Sequence, residues 1–436
     1  MNLNQQQSEA LKKFAPQIES FSRPALVWVY LLLIPMGLAA YALYRQVVDG
    51  HIVTGMRDHV VWGLYIANFI FFIGISYAGA IISGFLHLLK VEWRKPIIRI
   101  AELITVIATI IGPVYILLCV GRLDRLHHLV IYGRLQSPIT WDVLAITTYL
   151  FGGLLFLYLA TIKDLAIYRD ATELKLSGWR RRIYKALALD YQGSPEQNKS
   201  LAISMNLLSI MIIPLAIIVH SVLSWIFGMT LRPGWHSTIF GPYFVLAAIY
   251  SGTGVLIITM WIFRKVYNLY DYLLDKHFIY LGYIMMVMAG AYGYFTFSEY
   301  LTDWYTSTRW DSEVISKLFD LNQFGGLFLF ANVAGIILPI AIVAIPYFRK
   351  PGLITIAAAF MVLALWVKRY LIIVPTLESP LFPIQDSRLE YIHYSPTWVE
   401  WALTVGGVAT FLLLFTLASK FMTIVSVSEF ESEKHV

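Results

Sequence analysis

The sequence is poor in the residues that most redox and nucleic-acid proteins depend on. Its 436 residues hold a single cysteine, Cys119. That excludes an intrachain disulfide, a four-thiolate iron–sulfur cluster and a cysteine-rich zinc site. Charged side chains make up only 14% of the chain, against 58% apolar and 15% aromatic. A soluble protein of this length carries far more charge, so the composition describes a polytopic membrane protein. The net charge of +6 resembles a nucleic-acid footprint until it is mapped. Most Lys and Arg lie beside the ends of apolar runs, which assigns them to membrane topology and leaves no nucleic-acid partner.

Residues 1–24 are polar and Gln-rich and lack a short apolar core ahead of a small-residue cleavage site; they read as a cytoplasmic segment and not as a removable signal peptide. Apolar runs long enough to cross a bilayer, roughly 20 residues each, follow at 25–48, 60–89, 97–121, 141–167, 201–228, 239–265, 277–304, 324–347, 352–374 and 398–424. Residues 425–436 form a tail. The expected fold is therefore all-α, with about ten transmembrane helices in one membrane domain, 25–424. Ten crossings put both ends on one side. Placing them inside gives the inner segments twice as many Lys and Arg as the outer ones, which the positive-inside rule reads as cytoplasmic termini in a multi-pass cell-membrane protein.

Several ionisable groups then gather at the outer pole. Gly121-Arg122-Leu123-Asp124-Arg125-Leu126-His127-His128 lies between two long apolar runs, and Ser137-Pro138 with Trp141-Asp142 opens the second of them. Charges so near lipid are expensive and tend to be functional. An Asp at a helix start is also a common N-cap or dipole partner, so both readings of Asp142 stand at this point. Asp142 and Tyr149, seven residues apart, share a helix face, as do Tyr292 and Glu299. His220 lies two-thirds along the fifth crossing, and Glu299 comes ~35 Å of helix after Lys276. Lys368-Arg369 fall in the last turns of the ninth crossing. Glu102 sits near the inner end of the third, as a snorkelling acid or a member of a proton path.

A haem-b cytochrome needs paired histidines at facing depths, but only His220 lies well within a span, with His87 and His277 at inner ends. A secondary transporter would account for ten helices and intramembrane charge, though no internal repeat is evident; it is the alternative reading. A quinone site needs an apolar, aromatic slot with an acid or base and a cation at one end, and this chain supplies those parts.

The quoted stretches carry a resemblance. Gly121 to Arg125, Ser137-Pro138 and Trp141 to Tyr149 resemble the motif of the NrfD/polysulfide-reductase membrane-subunit family. His220 to Trp225, Pro233 to Thr238 with Pro242-Tyr243-Phe244, Tyr294 to Tyr300, and Lys368-Arg369 leading to Pro375-Thr376 continue it in order. The ten-helix form is similar to the membrane subunits of alternative complex III and of Dsr/Hme-type menaquinol oxidoreductases. The resemblance implies two four-helix bundles, about 60–228 and 239–374, flanked by the first and last helices. It implies exchangeable menaquinone, no haem or iron–sulfur cluster in this chain, and a partner iron–sulfur, ferredoxin-like subunit on the outer face, with multihaem cytochrome c and further membrane subunits as additional partners. On this reading His220 and Asp142 exchange protons with the ring and Arg122 stabilises its anionic form. Asp124, Tyr149, Trp225, His236 and Arg369 complete the binding site, and Glu102 and Glu299 belong to a proton path. The outer segments 305–323 and 375–397 are the expected docking surface. The chain departs from the family at Ile226, where an Asp is expected after Ser224-Trp225, and at Cys119, where some relatives carry Asp. Either His220 and Asp142 work without a third acid, or this subunit does not pump protons.

Overall fold

The computed structural model describes residues 5–79, 84–379 and 393–428. Among them the chain is helical, in the order α1 (Gln5–Glu19), α2 (Arg23–Asp49), α3 (Leu64–Ile75), α4 (Gly84–Leu88), α5 (Lys95–Val120), α6 (His128–Ile131), α7 (Pro138–Asp170) and α8 (Gly178–Leu187). There follow α9 (Pro195–Gly228), α10 (Phe240–Val266), α11 (Asp275–Thr306), α12 (Arg309–Phe319), α13 (Gly325–Asn332), α14 (Leu338–Ala344), α15 (Pro351–Leu377) and α16 (Trp398–Phe421).

Local chemistry sets the helix starts. Proline stands at the first position of α7, α9 and α15, where its missing N–H has no intrahelical partner to lose. At α9, Ser194 accepts from the Gln197 backbone and the Gln197 side chain reaches back, a reciprocal cap. Proline inside a run has a different effect. A π-turn, Val333–Ile337, joins α13 to α14 just ahead of Pro339, which cannot donate to the Gly335 carbonyl four residues back. The Tyr250 hydroxyl donates to that carbonyl instead, at 2.7 Å.

Nine helical stretches among the described residues are long and apolar enough to span a bilayer, with α13 to α14 counted as one. They match nine of the ten expected crossings. The exception is 60–89: α3 has 12 residues, α4 has five, and 80–83 lie outside the described residues. Just past α3, the Ser76 carbonyl accepts from Thr105 Oγ1 at 2.5 Å and from the Tyr149 hydroxyl at 3.0 Å. A hydrophobic run read along the sequence does not show that neighbouring helices take its backbone groups.

Bundle one is a closed ring in which α3 packs on α5, α5 on α7, α7 on α9 and α9 on α4. Bundle two closes likewise through α10, α11, α13–α14 and α15. α10 and α15 pack on α3, and α10 on α9, joining the bundles, while α2 and α16 pair beside bundle one. The join depends on a missing side chain. A Cβ on Gly252 of α10 would lie 2.7 Å from the Ala78 nitrogen and 3.1 Å from its Cα, so the two backbones touch there. Gly252→Ala is expected to destabilise the chain by roughly 1–3 kcal/mol through overpacking, whereas Gly326→Ala, with nothing within 4 Å, leaves stability unchanged. Thermal unfolding of the two purified variants checks this.

Both described termini lie at one end of the molecule. Lys13 of α1 pairs with Asp271 between α10 and α11, and Gln17 donates to the Ser419 carbonyl. Arg99 of α5 and Asp164 of α7 form an ion pair with both side chains at most 3% exposed. Asp164 also accepts from the backbone N–H groups of Val427 and Ser428 and the Ser426 hydroxyl. The C-terminal segment is thereby strapped across bundle one. At the opposite end Glu400 accepts from the Gly55 and Thr397 N–H groups and the Tyr394 hydroxyl, fixing the loops there.

Candidate functional site

The loops and helix ends of bundle one at the end away from the termini line an open cavity of about 530 Å³. Its walls come from residues one helical turn apart: Ile66 and Phe69 on α3, Ile116 and Cys119 on α5, Leu223 and Phe227 on α9. Trp62 closes one side, its ring 6.0 Å from those of Phe227 and Trp235. Trp235 is itself held by a 2.6 Å bond from Nε1 to the Ile372 carbonyl of α15, so bundle two braces the wall.

Polar groups enter this apolar space at few points. Asp142 lines it, 3% exposed, and its Oδ1 has no hydrogen-bond partner among the described residues. The N-cap of α7 is Ser137 and Asp142 lies beyond the first turn, which removes the capping role as the explanation of this acid. A buried carboxylate oxygen without a partner carries its desolvation cost unless a ligand or water meets it. Arg122, Arg125 and His128 stand along the same cavity. Arg122 is held in a fork by Asp124, with Nε at 2.9 Å and Nη2 at 2.8 Å. The pair lies outside the spans, and the guanidinium keeps the Asp124 carboxyl below its usual range. Both groups are therefore charged at neutral pH, and the Arg122 side chain is oriented before anything enters.

The remaining predicted residues fall in several places. His220 of α9 is one turn inward of Leu223 and does not line the cavity; it is 1% exposed, its ring is 4.1 Å from that of Tyr77, and neither ring nitrogen has a partner among the described residues. The Tyr149 ring lies 6.2 Å from that of Tyr77. Tyr149, Tyr77 and His220 thus form an aromatic layer below the cavity. Asp124 meets the site only through Arg122. Trp225 is 42% exposed on the outside of α9, and His236 is exposed in the loop before α10; neither lines the cavity. Glu102 is buried one turn from Arg99, about 21 Å along α5 from Ile116.

Arg369 and Glu299 belong to bundle two. Arg369 is buried between α15, α3 and α10, donating to the Leu365 carbonyl at 2.7 Å and to Ser251 Oγ at 3.2 Å. A Cβ on Gly74 of α3 would lie 2.8 Å from its Nη2, so this glycine makes the room. Glu299 pairs with Lys368 at 3.7 Å, both side chains 5% exposed. Lys368 also donates to the Tyr300 hydroxyl and lies 4.2 Å from that ring. A narrow crevice lined by Gly234, Asp303 and Asp311 reaches Glu299 from the loops.

Sequence reasoning held Arg125 and His128 in the charged stretch 121–128 without giving either an individual role, and did not single out Trp62, Phe227 or Tyr77. The pair 66 and 69 and the triplet 223, 226, 227 each mark one helix face, and that signal was available for the cavity wall; Trp62 precedes α3 and had no such signal. Tyr77 had none, because its ring neighbours Tyr149 and His220 come from two other helices, α7 and α9. Among the described residues no three His, Cys, Asp or Glu side chains gather as metal ligands.

Fold and site together define a polytopic helical membrane protein whose first bundle holds an apolar pocket with an acid and cations at one end. The chain belongs to the NrfD polysulphide reductase family, whose profile matches residues 52–379. It is 31% identical over 246 residues to a protein provisionally named as a dimethyl sulfoxide reductase membrane subunit in Halobacterium salinarum, covering 56% of this chain and 53% of that protein's length. It is 23% identical over 408 residues to a selenate reductase subunit of Mesobacillus selenatarsenatis, covering 91% and 92% of the two. It is also 23% identical over 431 residues to the Hdr-like menaquinol oxidoreductase integral membrane subunit of Archaeoglobus fulgidus, covering 94% and 97%.

Proposed function

We propose that this chain is the quinone-handling membrane subunit of a redox complex in the cell membrane, exchanging electrons between menaquinone and a partner iron–sulfur protein. One observation carries the reading: an apolar cavity of about 530 Å³ that has Asp142 and Arg122 on its lining. That volume lies within the ~300–1,000 Å³ of small-molecule sites, and a few polar groups in an apolar wall fix a ligand's orientation. Quinol oxidation releases two protons and two electrons. Asp142 accepts a ring hydroxyl proton, with His220 as the second group one turn further in. Arg122, pre-oriented by Asp124, favours negative charge on the ring oxygen. The apolar walls seat the tail and exclude water. Arg122→Gln is expected to raise the KM for quinol about tenfold or more, in line with the loss of a charge-assisted bond, while Asp124→Asn, which weakens the fork that orients Arg122, raises it by less; steady-state oxidation of a soluble quinol analogue checks both.

The partner docks on the cavity end, at 305–323 and 375–397; of the latter, 380–392 lie outside the described residues. Both termini are cytoplasmic, as the excess of Lys and Arg at the α1 end supports. Multihaem cytochrome c and other membrane subunits complete the assembly. The buried Glu299–Lys368 pair with its crevice, and buried Glu102 near the other end, support a proton path. Glu102→Gln is expected to lower the pH change across vesicles per electron transferred; equal pH change and equal turnover would dispose of that path.

The deciding experiment is purification of the chain with its partners. Co-purifying quinone and iron–sulfur absorbance are expected. Ligand uptake by the isolated subunit in vesicles, with no quinone, would instead support the transporter alternative.

A further inference from the structure

The loop 121–137, which carries Arg122 into the cavity, has a second face. Its inner side packs Leu126 and Leu129 against the cavity. Its other side leaves Val130 81%, Ile131 66% and Leu135 77% exposed. Contiguous apolar exposure on this scale marks a surface that something covers. The patch runs on into α7, where Leu144 is exposed as well. The loop's charge is one-signed. Its single acid, Asp124, is already held by Arg122, whereas Arg125 and Arg134 are exposed with no ion-pair or hydrogen-bond partner among the described residues, and His127 is exposed beside His128. Trp141 donates from Nε1 to the Leu135 carbonyl, anchoring the loop to α7 through an aromatic of the kind that lies at membrane interfaces.

We propose that loop 121–137 is a membrane-seated lid: Val130, Ile131 and Leu135 insert among the acyl chains of the adjoining leaflet, and Arg134 and His127 bind the phosphates of anionic phospholipids. An acidic protein surface could match the cations, but it offers nothing for three large apolar side chains that extend the lipid-facing surface of α7. An anionic bilayer offers both at once. Rooted in lipid on one side and roofing the cavity on the other, the lid admits its substrate laterally from the leaflet. The consequence for substrate entry rests on the quinone reading; the seating does not.

The test uses the assembled complex in nanodiscs, with a spin label at Ile131→Cys in a Cys119→Ala background and a reference label at Ser307→Cys. Collision with oxygen against an aqueous nickel chelate reads depth. In mixed phosphatidylglycerol and phosphatidylcholine the oxygen-to-nickel ratio at 131 is expected to exceed that at 307 by roughly tenfold, as for an interfacial segment below the headgroups. In pure phosphatidylcholine, or with His127→Gln and Arg134→Gln together, the ratio is expected to fall. A label open to nickel in both lipids overturns the proposal. So does a deep label indifferent to phosphatidylglycerol, and so does protection from both relaxants that appears only when the partner subunits are bound, which assigns the face to a protein. Depth is measured without quinol. A shallow label with quinol oxidation still dependent on Asp142 removes the lid alone, whereas a deep label with turnover indifferent to Asp142 removes the quinone reading alone.

Discussion

Asp142→Asn in the assembled complex is expected to lower quinol oxidation by about 10²-fold or more, the scale of losing a positioned proton acceptor. Asn matches Asp in size and shape, and Asp142 makes no cap to α7 that the change could weaken. The cavity therefore keeps its form and loses only a group that can take a proton. If substrate still binds, the loss falls on kcat more than on KM. Asp124→Asn is the comparison: that carboxylate is 61% exposed and bonds Arg122 without reaching the cavity, so its loss is expected to act on KM through Arg122 and to leave kcat nearly unchanged. His220→Ala is the companion variant: its ring lies one turn further in, against Tyr77. Unchanged turnover in Asp142→Asn and in His220→Ala would reject their roles as proton acceptors, and with it the mechanism proposed for the cavity.

Asp164→Ala is expected to cost about 3–5 kcal/mol of stability, because it leaves Arg99 charged and buried without its partner. The two side chains are 3% and 1% exposed, so water does not replace the lost carboxylate. Asp164 also holds the backbone of Val427 and Ser428, so the variant is expected to release the C-terminal strap to proteases as it lowers the thermal midpoint. The double variant Arg99→Met with Asp164→Leu tests the cause. It restores much of the midpoint, since an apolar pair of similar volume removes the buried charge, but it does not restore the strap. A single variant as stable as the parent would show that the pair contributes nothing to folding.

The spans were legible because a bilayer imposes one simple demand, an uninterrupted apolar run of sufficient length. Nine of the ten expected runs appear as helices that meet it. The remaining run, 60–89, contains 80–83, which lie outside the described residues; on either side of them stand α3 with the helical residues 77–79 that follow it, and α4, and the Ser76 carbonyl accepts from Thr105 and Tyr149. Proline was equally ambiguous along the chain. Pro351 starts a helix, whereas Pro339 follows a π-turn whose free carbonyl is used by a tyrosine from another helix.

The site divides the same way. Arg122 and Asp142 were visible as costly charges at one pole, and the structure brings both to one cavity. Trp225 and His236 lay close to the motif in sequence, but the turn of α9 sends Trp225 outward and the loop leaves His236 exposed. Tyr77 and Trp62 carried no charge to draw attention, yet they stand against His220 and close the cavity wall.

Composition and hydrophobic run length determined by themselves that this is a helical membrane protein with a charged pole, because burial in lipid is a property of each segment alone. Which of those charges share a cavity, which are neutralised by a neighbour and which face outward was decided only when the helices packed. Adjacency across helices depends on their rotation and depth, set jointly by contacts such as the Gly252–Ala78 approach and the Trp235–Ile372 bond, and those quantities belong to no single stretch of chain.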